Sequence, residues 1–121
     1  MMTILLVEDE DAVRAIARRV LEREGFAVIE AGSAGDALRL AENHAEPINL
    51  MLSDLVMPGM TGAELAVAVR RVRPNVPIIY MSGYAREDVE ERVGTMTATG
   101  FVSKPFTPRG LVEAVRCALA N

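Results

Sequence analysis

Leu50-Met-Leu-Ser-Asp-Leu-Val-Met-Pro-Gly-Met-Thr-Gly62 is the stretch that decides how this chain folds and where its chemistry lies. Ile48–Ser53 reads as a buried strand. Pro58 and Gly59 punctuate the loop that follows, and Thr61-Gly-Ala-Glu64 is a capping box that opens a helix. Asp54 therefore stands where a buried apolar run meets a Pro/Gly loop. Strand, loop and helix in that order make one α/β unit, and such units carry their functional groups on the loops that leave the strands.

The same unit recurs on both sides of this stretch. Short apolar runs at Thr3–Val7, Phe26–Glu30, Ile48–Ser53, Val76–Ser82 and Gly100–Ser103 predict five strands. Their hydrophobicity is continuous rather than alternating, which implies burial on both faces, as in a parallel sheet covered by helices. The first helix carries Val13, Ile16, Ala17, Val20 and Leu21 inward and Arg14, Arg18 and Glu22 outward, with Gly25 as a left-handed cap. Ser33 is the N-cap of the second, whose inner face is Ala34, Ala37, Leu38 and Ala41. Leu65, Val69 and Val72 stripe the third. Thr107 and Pro108 supply an N-cap and a first-turn proline to the last, with Leu111, Val115 and Ala118 inward. Between them Arg86–Val93 offers only Val89 and Val93 as apolar anchors before Gly94, so a helix there is expected to be weakly held and mobile. The pattern is a (βα)5 open sheet with right-handed crossovers.

At 121 residues the chain makes one domain, residues 1–121. Half of it is hydrophobic and a quarter charged, which excludes disorder, and no apolar run approaches the ~18 residues of a membrane span. Met1-Met-Thr-Ile-Leu-Leu-Val7 runs straight into Glu8-Asp-Glu-Asp11, the pattern of a first strand and not of a signal peptide. The single cysteine, Cys117, forms no internal disulfide, so a reducing cytoplasm is expected. A net charge of -4 argues against direct contact with nucleic acid, which demands a basic stripe.

Glu8 and Asp9 follow the first run, Asp54 and Ser82 stand at the ends of the third and fourth, and Lys104 follows the fifth. An open α/β sheet brings all five to the carboxyl edge of its strands. Clustered carboxylates repel one another, by roughly 4 kcal/mol for two charges ~4 Å apart at an effective dielectric near 20. A divalent cation relieves that repulsion. Mg²⁺, which takes a few carboxylates together with water and phosphate oxygens, suits the set. Three carboxylates, one Mg²⁺ and Lys104 sum to zero charge, and a phosphoryl group reaching Asp54 would meet the same cation and lysine.

Leu5-Leu-Val-Glu-Asp9, Ser53-Asp-Leu-Val-Met-Pro-Gly59, Met81-Ser-Gly83 and Lys104-Pro-Phe106 resemble, in order and spacing, the receiver domain of bacterial two-component response regulators, over essentially the full length. The resemblance implies a flavodoxin-like, CheY-like sheet in the order 2-1-3-4-5. It implies that Asp54 accepts a phosphoryl group from a phosphohistidine, with Mg²⁺ held by Glu8, Asp9, Asp54 and the Val56 carbonyl. Lys104 would meet a phosphoryl oxygen, across a cis peptide to Pro105. Ser82 would hydrogen-bond the phosphoryl group and couple to Phe101, which stands in place of a tyrosine often found there and so switches by packing alone. Met81-Ser-Gly-Tyr-Ala85 and Thr3-Ile-Leu-Leu-Val-Glu-Asp-Glu-Asp11 look most like receivers of hybrid histidine kinases. The implied partners are a histidine kinase and a histidine phosphotransfer protein, and the implied state is a monomer or weak dimer without membrane contact. A stand-alone response regulator that acts by docking is the alternative.

Two unrelated functions fit the sequence less well. A flavodoxin-like cofactor binder needs a Ser/Thr/Gly phosphate loop after the first strand, where this chain places four acids. An aspartyl-nucleophile phosphatase would want a general acid two positions after Asp54, where Val56 stands. His44 reads as a surface residue and Cys117 as partly exposed; neither is assigned a role.

Overall fold

Burial along β1, β3 and β4 is nearly complete, and the pleat divides each apolar run between two helical layers. The computed structural model describes residues 1–85, 87–88 and 98–120. In it β1 (Thr3–Val7), β2 (Ala27–Ala31), β3 (Leu50–Asp54), β4 (Ile78–Ser82) and β5 (Gly100–Ser103) form one parallel sheet, ordered β2-β1-β3-β4-β5. The helices are α1 (Asp11–Arg23), α2 (Ala34–Asn43), α3 (Gly62–Val72) and α4 (Pro108–Ala120). The helix expected over Arg86–Val93 lies outside the described residues save for Glu87 and Asp88.

Leu5, Val7, Met51, Ile78 and Tyr80 pack on one face against Ala37 and Ala41 of α2 and Leu65 and Val69 of α3. Ile4, Leu6, Leu50, Leu52, Ile79 and Met81 face the other way, onto Ala17 and Leu21 of α1 and Leu111 and Val115 of α4. Each such side chain stabilises the fold by roughly 1.5–3 kcal/mol relative to exposure. The strand order reverses between β1 and β3, which opens the crevice at their carboxyl ends.

Local signals hold the helix ends as expected. Asp36 N–H donates to Ser33 Oγ at 3.1 Å, the Thr61/Glu64 capping box closes in both directions, and Gly110 N–H donates to Thr107 Oγ1 at 2.9 Å. Gly25 takes φ 89°, and Gly25 and Phe26 donate to the carbonyls of Glu22 and Leu21, a Schellman motif. That motif explains one shift from expectation. The Phe26 N–H is already used, so β2 begins at Ala27. β3 begins at Leu50, not Ile48, and β4 at Ile78, just after Pro77, which has no N–H for the ladder; Ile48 and Val76 are nonetheless buried.

Ile16, Val72 and His44 depart from the expected exposure. Ile16 is 52% exposed, because the buried line of α1 is narrow and runs through Ala17 and Leu21. Val72 is exposed, since the inner line of α3 passes through Leu65, Ala66 and Val69 and then reaches Arg73. His44, expected at the surface, is half-buried at the end of α2, and its Nε2 has no hydrogen-bond partner among the described residues. Cys117 is exposed. No helix among the described residues is long and apolar enough to cross a membrane.

Candidate functional site

The ladder register sets the polar groups side by side. Val7 lies opposite Ser53, Asp54 opposite Met81 and Ser82 opposite Ser103, so Glu8, Asp54, Ser82 and Lys104 fall along one edge. The loop after Asp54 returns tightly, with Gly62 N–H donating to the Leu55 carbonyl at 2.7 Å. A Cβ at Gly62 would stand 2.5 Å from the Asp54 carbonyl oxygen, so only glycine lets the start of α3 pass this close to the end of β3.

Glu8 is fully buried and Asp54 nearly so, while Asp9 is exposed at the mouth. Lys104 Nζ lies between the two buried carboxylates, 2.8 Å from Glu8 Oε2 and 3.3 Å from Asp54 Oδ2. Carboxylate oxygens of Glu8, Asp9 and Asp54 all come within 4.8 Å of one another. Ser82 is buried. Its Oγ accepts from Tyr84 N–H at 3.0 Å and its carbonyl from Lys104 N–H at 2.7 Å. The Lys104–Pro105 peptide is cis.

One ammonium serves three clustered carboxylates, two of them buried. Burial pushes the Asp54 carboxyl up to about 6, and the charge of Glu8 pushes the same way; Lys104 opposes both. Lys104 itself is drawn down by burial, but its bonds to Glu8 and the nearby Asp54 outweigh this and leave it raised. Hard oxygen donors converging on excess negative charge fit Mg²⁺, which Glu8, Asp9 and Asp54 could hold.

The response regulator receiver domain family matches residues 4–116. The chain belongs to that family. It is 38% identical, over 94% of its length, to the sensor kinase CckA of Brucella abortus, of which it spans 12%. It is 31% identical, over its whole length, to the response regulator SaeR of Staphylococcus aureus, of which it spans 52%. Among solved structures, the receiver domain of the hybrid histidine kinase CckA superposes with a TM-score of 0.80 at 37% identity, covering 97% of this chain and 98% of that one. The chemotaxis protein CheY4 of Vibrio cholerae gives 0.84 at 28% identity, covering 98% of each. The sheet order and the likeness to hybrid-kinase receivers are those expected from the sequence. As a receiver, the chain spans a small part of the kinase and about half of the regulators it matches.

Val56 and Phe101 complete the expected set. Val56 is exposed in the loop after Asp54. Phe101 is half-buried opposite Tyr80 and packs on the α2/α3 side of the core. One contributor went unforeseen. Arg14, expected on the wet face of α1, has a side chain only 17% exposed, and its Nη1 donates to the Glu8 carbonyl at 2.9 Å. The i,i+3 spacing to Asp11 hints at part of this, but the contacts to Glu8 and to Glu30 on β2 depend on the fold.

Proposed function

We propose that this receiver accepts a phosphoryl group on Asp54 from a phosphohistidine of a histidine kinase or phosphotransfer protein. The observation that carries this is the cluster of Glu8, Asp9 and Asp54 around Lys104 at the switch point of the sheet. An Asp54 carboxylate oxygen forms the new P–O bond as the P–N bond of the donor breaks, and the imidazole leaves with a proton taken from solvent. Glu8, Asp9, Asp54 and the Val56 carbonyl would hold Mg²⁺, which would supply charge neutralisation for the incoming group. Lys104 turns from Asp54 to a phosphoryl oxygen while keeping Glu8. Ser82 trades its bond from Tyr84 N–H for one to the phosphoryl group, and that motion repacks Phe101.

Residues 1–121 act as one domain that relays or switches the signal in the cytoplasm. Likeness to the CckA receiver supports a relay attached to a hybrid kinase over a stand-alone regulator. The surface beside the site supports a protein donor. Val13 and the exposed Ile16 join Pro105 and Phe106 around a cavity of about 340 Å³ that Lys104 also lines. Intact mass after incubation with acetyl phosphate tests the reading. A single Mg²⁺-dependent adduct in the wild type, absent from Asp54→Asn, is expected; an adduct that survives the substitution rules out Asp54 as acceptor.

A further inference from the structure

The four acids of Glu8-Asp-Glu-Asp11 do different things, and the difference isolates one arginine. Glu8 is held at every polar atom of its backbone and side chain. Its N–H donates to the Ala31 carbonyl at 3.1 Å, its Oε1 accepts from Glu10 N–H at 3.2 Å, and its Oε2 accepts from Lys104. Its carbonyl accepts from Arg14 Nη1. Asp11 is no part of the cluster at Asp54; it binds Arg14 Nη2 at 2.8 Å, while Glu30 takes Arg14 Nε at 3.3 Å. A Cβ at Gly32 would come within 3.2 Å of Arg14 Nη1, so the glycine leaves room for the guanidinium.

The Glu8 carbonyl belongs to the peptide that carries Asp9. Asp9 is the exposed member of the cluster, and two buried carboxylates repel it. Apart from Arg14, the segment is held by Glu8 N–H on the Ala31 carbonyl and Glu10 N–H on Glu8 Oε1, neither of which engages the peptide between Glu8 and Asp9 itself. The geometry points to Arg14 as a positioning residue that fixes the Glu8–Asp9 peptide, and through it the Asp9 carboxylate, for the cation. This rests on the proposed reading of Glu8, Asp9 and Asp54 as the Mg²⁺ site. Arg18 is the natural control. It shares Glu30, at 2.5 Å, and pairs with Glu22, but makes no hydrogen bond to Glu8.

The test is an NMR titration of metal-free protein with MgCl₂, for wild type, Arg14→Met and Arg18→Met, each checked for folding by thermal melting. Arg14→Met is expected to weaken Mg²⁺ binding about tenfold or more, the range for groups that orient metal ligands, with Arg18→Met within about twofold of wild type. Without metal, the Asp9 amide nitrogen should shift in Arg14→Met alone, because it shares a peptide with the carbonyl that loses its donor. Arg14→Lys keeps the charge and loses the fork; it serves if Arg14→Met does not fold, and it too must bind Mg²⁺ more weakly than Arg18→Met. Equal affinities in the Arg14 and Arg18 variants, with any loss confined to melting temperature, would overturn the assignment and leave the site reading intact. Wild type that binds no Mg²⁺ would overturn both.

Discussion

The two ends of the sheet handle charge in opposite ways. At the amino edge one cation serves three acceptors: Arg73 donates to the carbonyls of Ala41 at 2.9 Å, His44 at 2.5 Å and Glu46 at 3.1 Å, tying the end of α3 to the α2–β3 connection. No carboxylate is needed, because the exposed C-terminal carbonyls of a helix already attract a cation. At the carboxyl edge three carboxylates crowd one ammonium, and burial, together with the charge of Glu8, raises the Asp54 carboxyl. One end is satisfied by the chain itself. The other is left in need of a ligand, and that asymmetry is what a binding site requires.

Removing the ammonium from the crowded end should produce the largest effect. Lys104→Met leaves the fully buried Glu8 without its partner, and losing one member of a buried pair costs about 3–5 kcal/mol. Urea unfolding in EDTA should show that loss, and MgCl₂ should recover part of it by supplying the missing positive charge. A variant as stable as wild type in EDTA would mean that Glu8 needs no counter-charge, and the contrast between the two ends would collapse.

At the satisfied end the effect should be smaller and blind to metal. Arg73→Ala removes three charge-assisted bonds; the exposed Glu46 carbonyl can be rehydrated, that of the buried Ala41 less so, and a loss of about 2 kcal/mol is expected. Mg²⁺-dependent labelling of the folded variant should match wild type. Loss of labelling would show that the two ends are coupled through α3.

What the sequence revealed, and what it hid, follows the same division. Continuous apolar runs and local caps at Ser33, Thr61 and Thr107 carried the succession of strands and helices, because each signal is spent within a few residues of its cause; the order of the strands in the sheet came with the family resemblance. The positions of Glu8, Asp54, Ser82 and Lys104 were equally readable, since parallel strands in register bring their ends together whatever the side chains do. Arg14, Arg73 and Ile16 were not. Arg73 is defined by three carbonyls 27 to 32 residues away and Arg14 in part by the carbonyl of Glu8, and carbonyls carry no mark in a sequence. Ile16 fits the helical period of α1 yet faces the Pro105–Phe106 surface, and periodicity alone does not tell a core stripe from a contact patch beside it.

The smallest effect has an unusual sign. Well below pH 4 the Asp54 carboxyl is neutral in the folded and unfolded chain alike, because its ordinary value is 3.8. Between that value and about 6 the folded chain keeps the proton and the unfolded chain does not. The native state then binds more protons, so stability falls as pH rises through this window. Above it, wild type carries a buried charge that opposes folding. Asn keeps the shape and the neutral state at every pH, and the Glu8–Lys104 pair at 2.8 Å survives the change. Asp54→Asn should therefore be more stable than wild type by about 1–2 kcal/mol near pH 8 in EDTA, with the advantage gone well below pH 4. MgCl₂ should narrow the gap by stabilising wild type far more than the variant. A wild type that is the more stable protein near pH 8 without metal would mean that Lys104 already balances the cluster, and that the carboxyl edge is no more in need of a ligand than the amino edge.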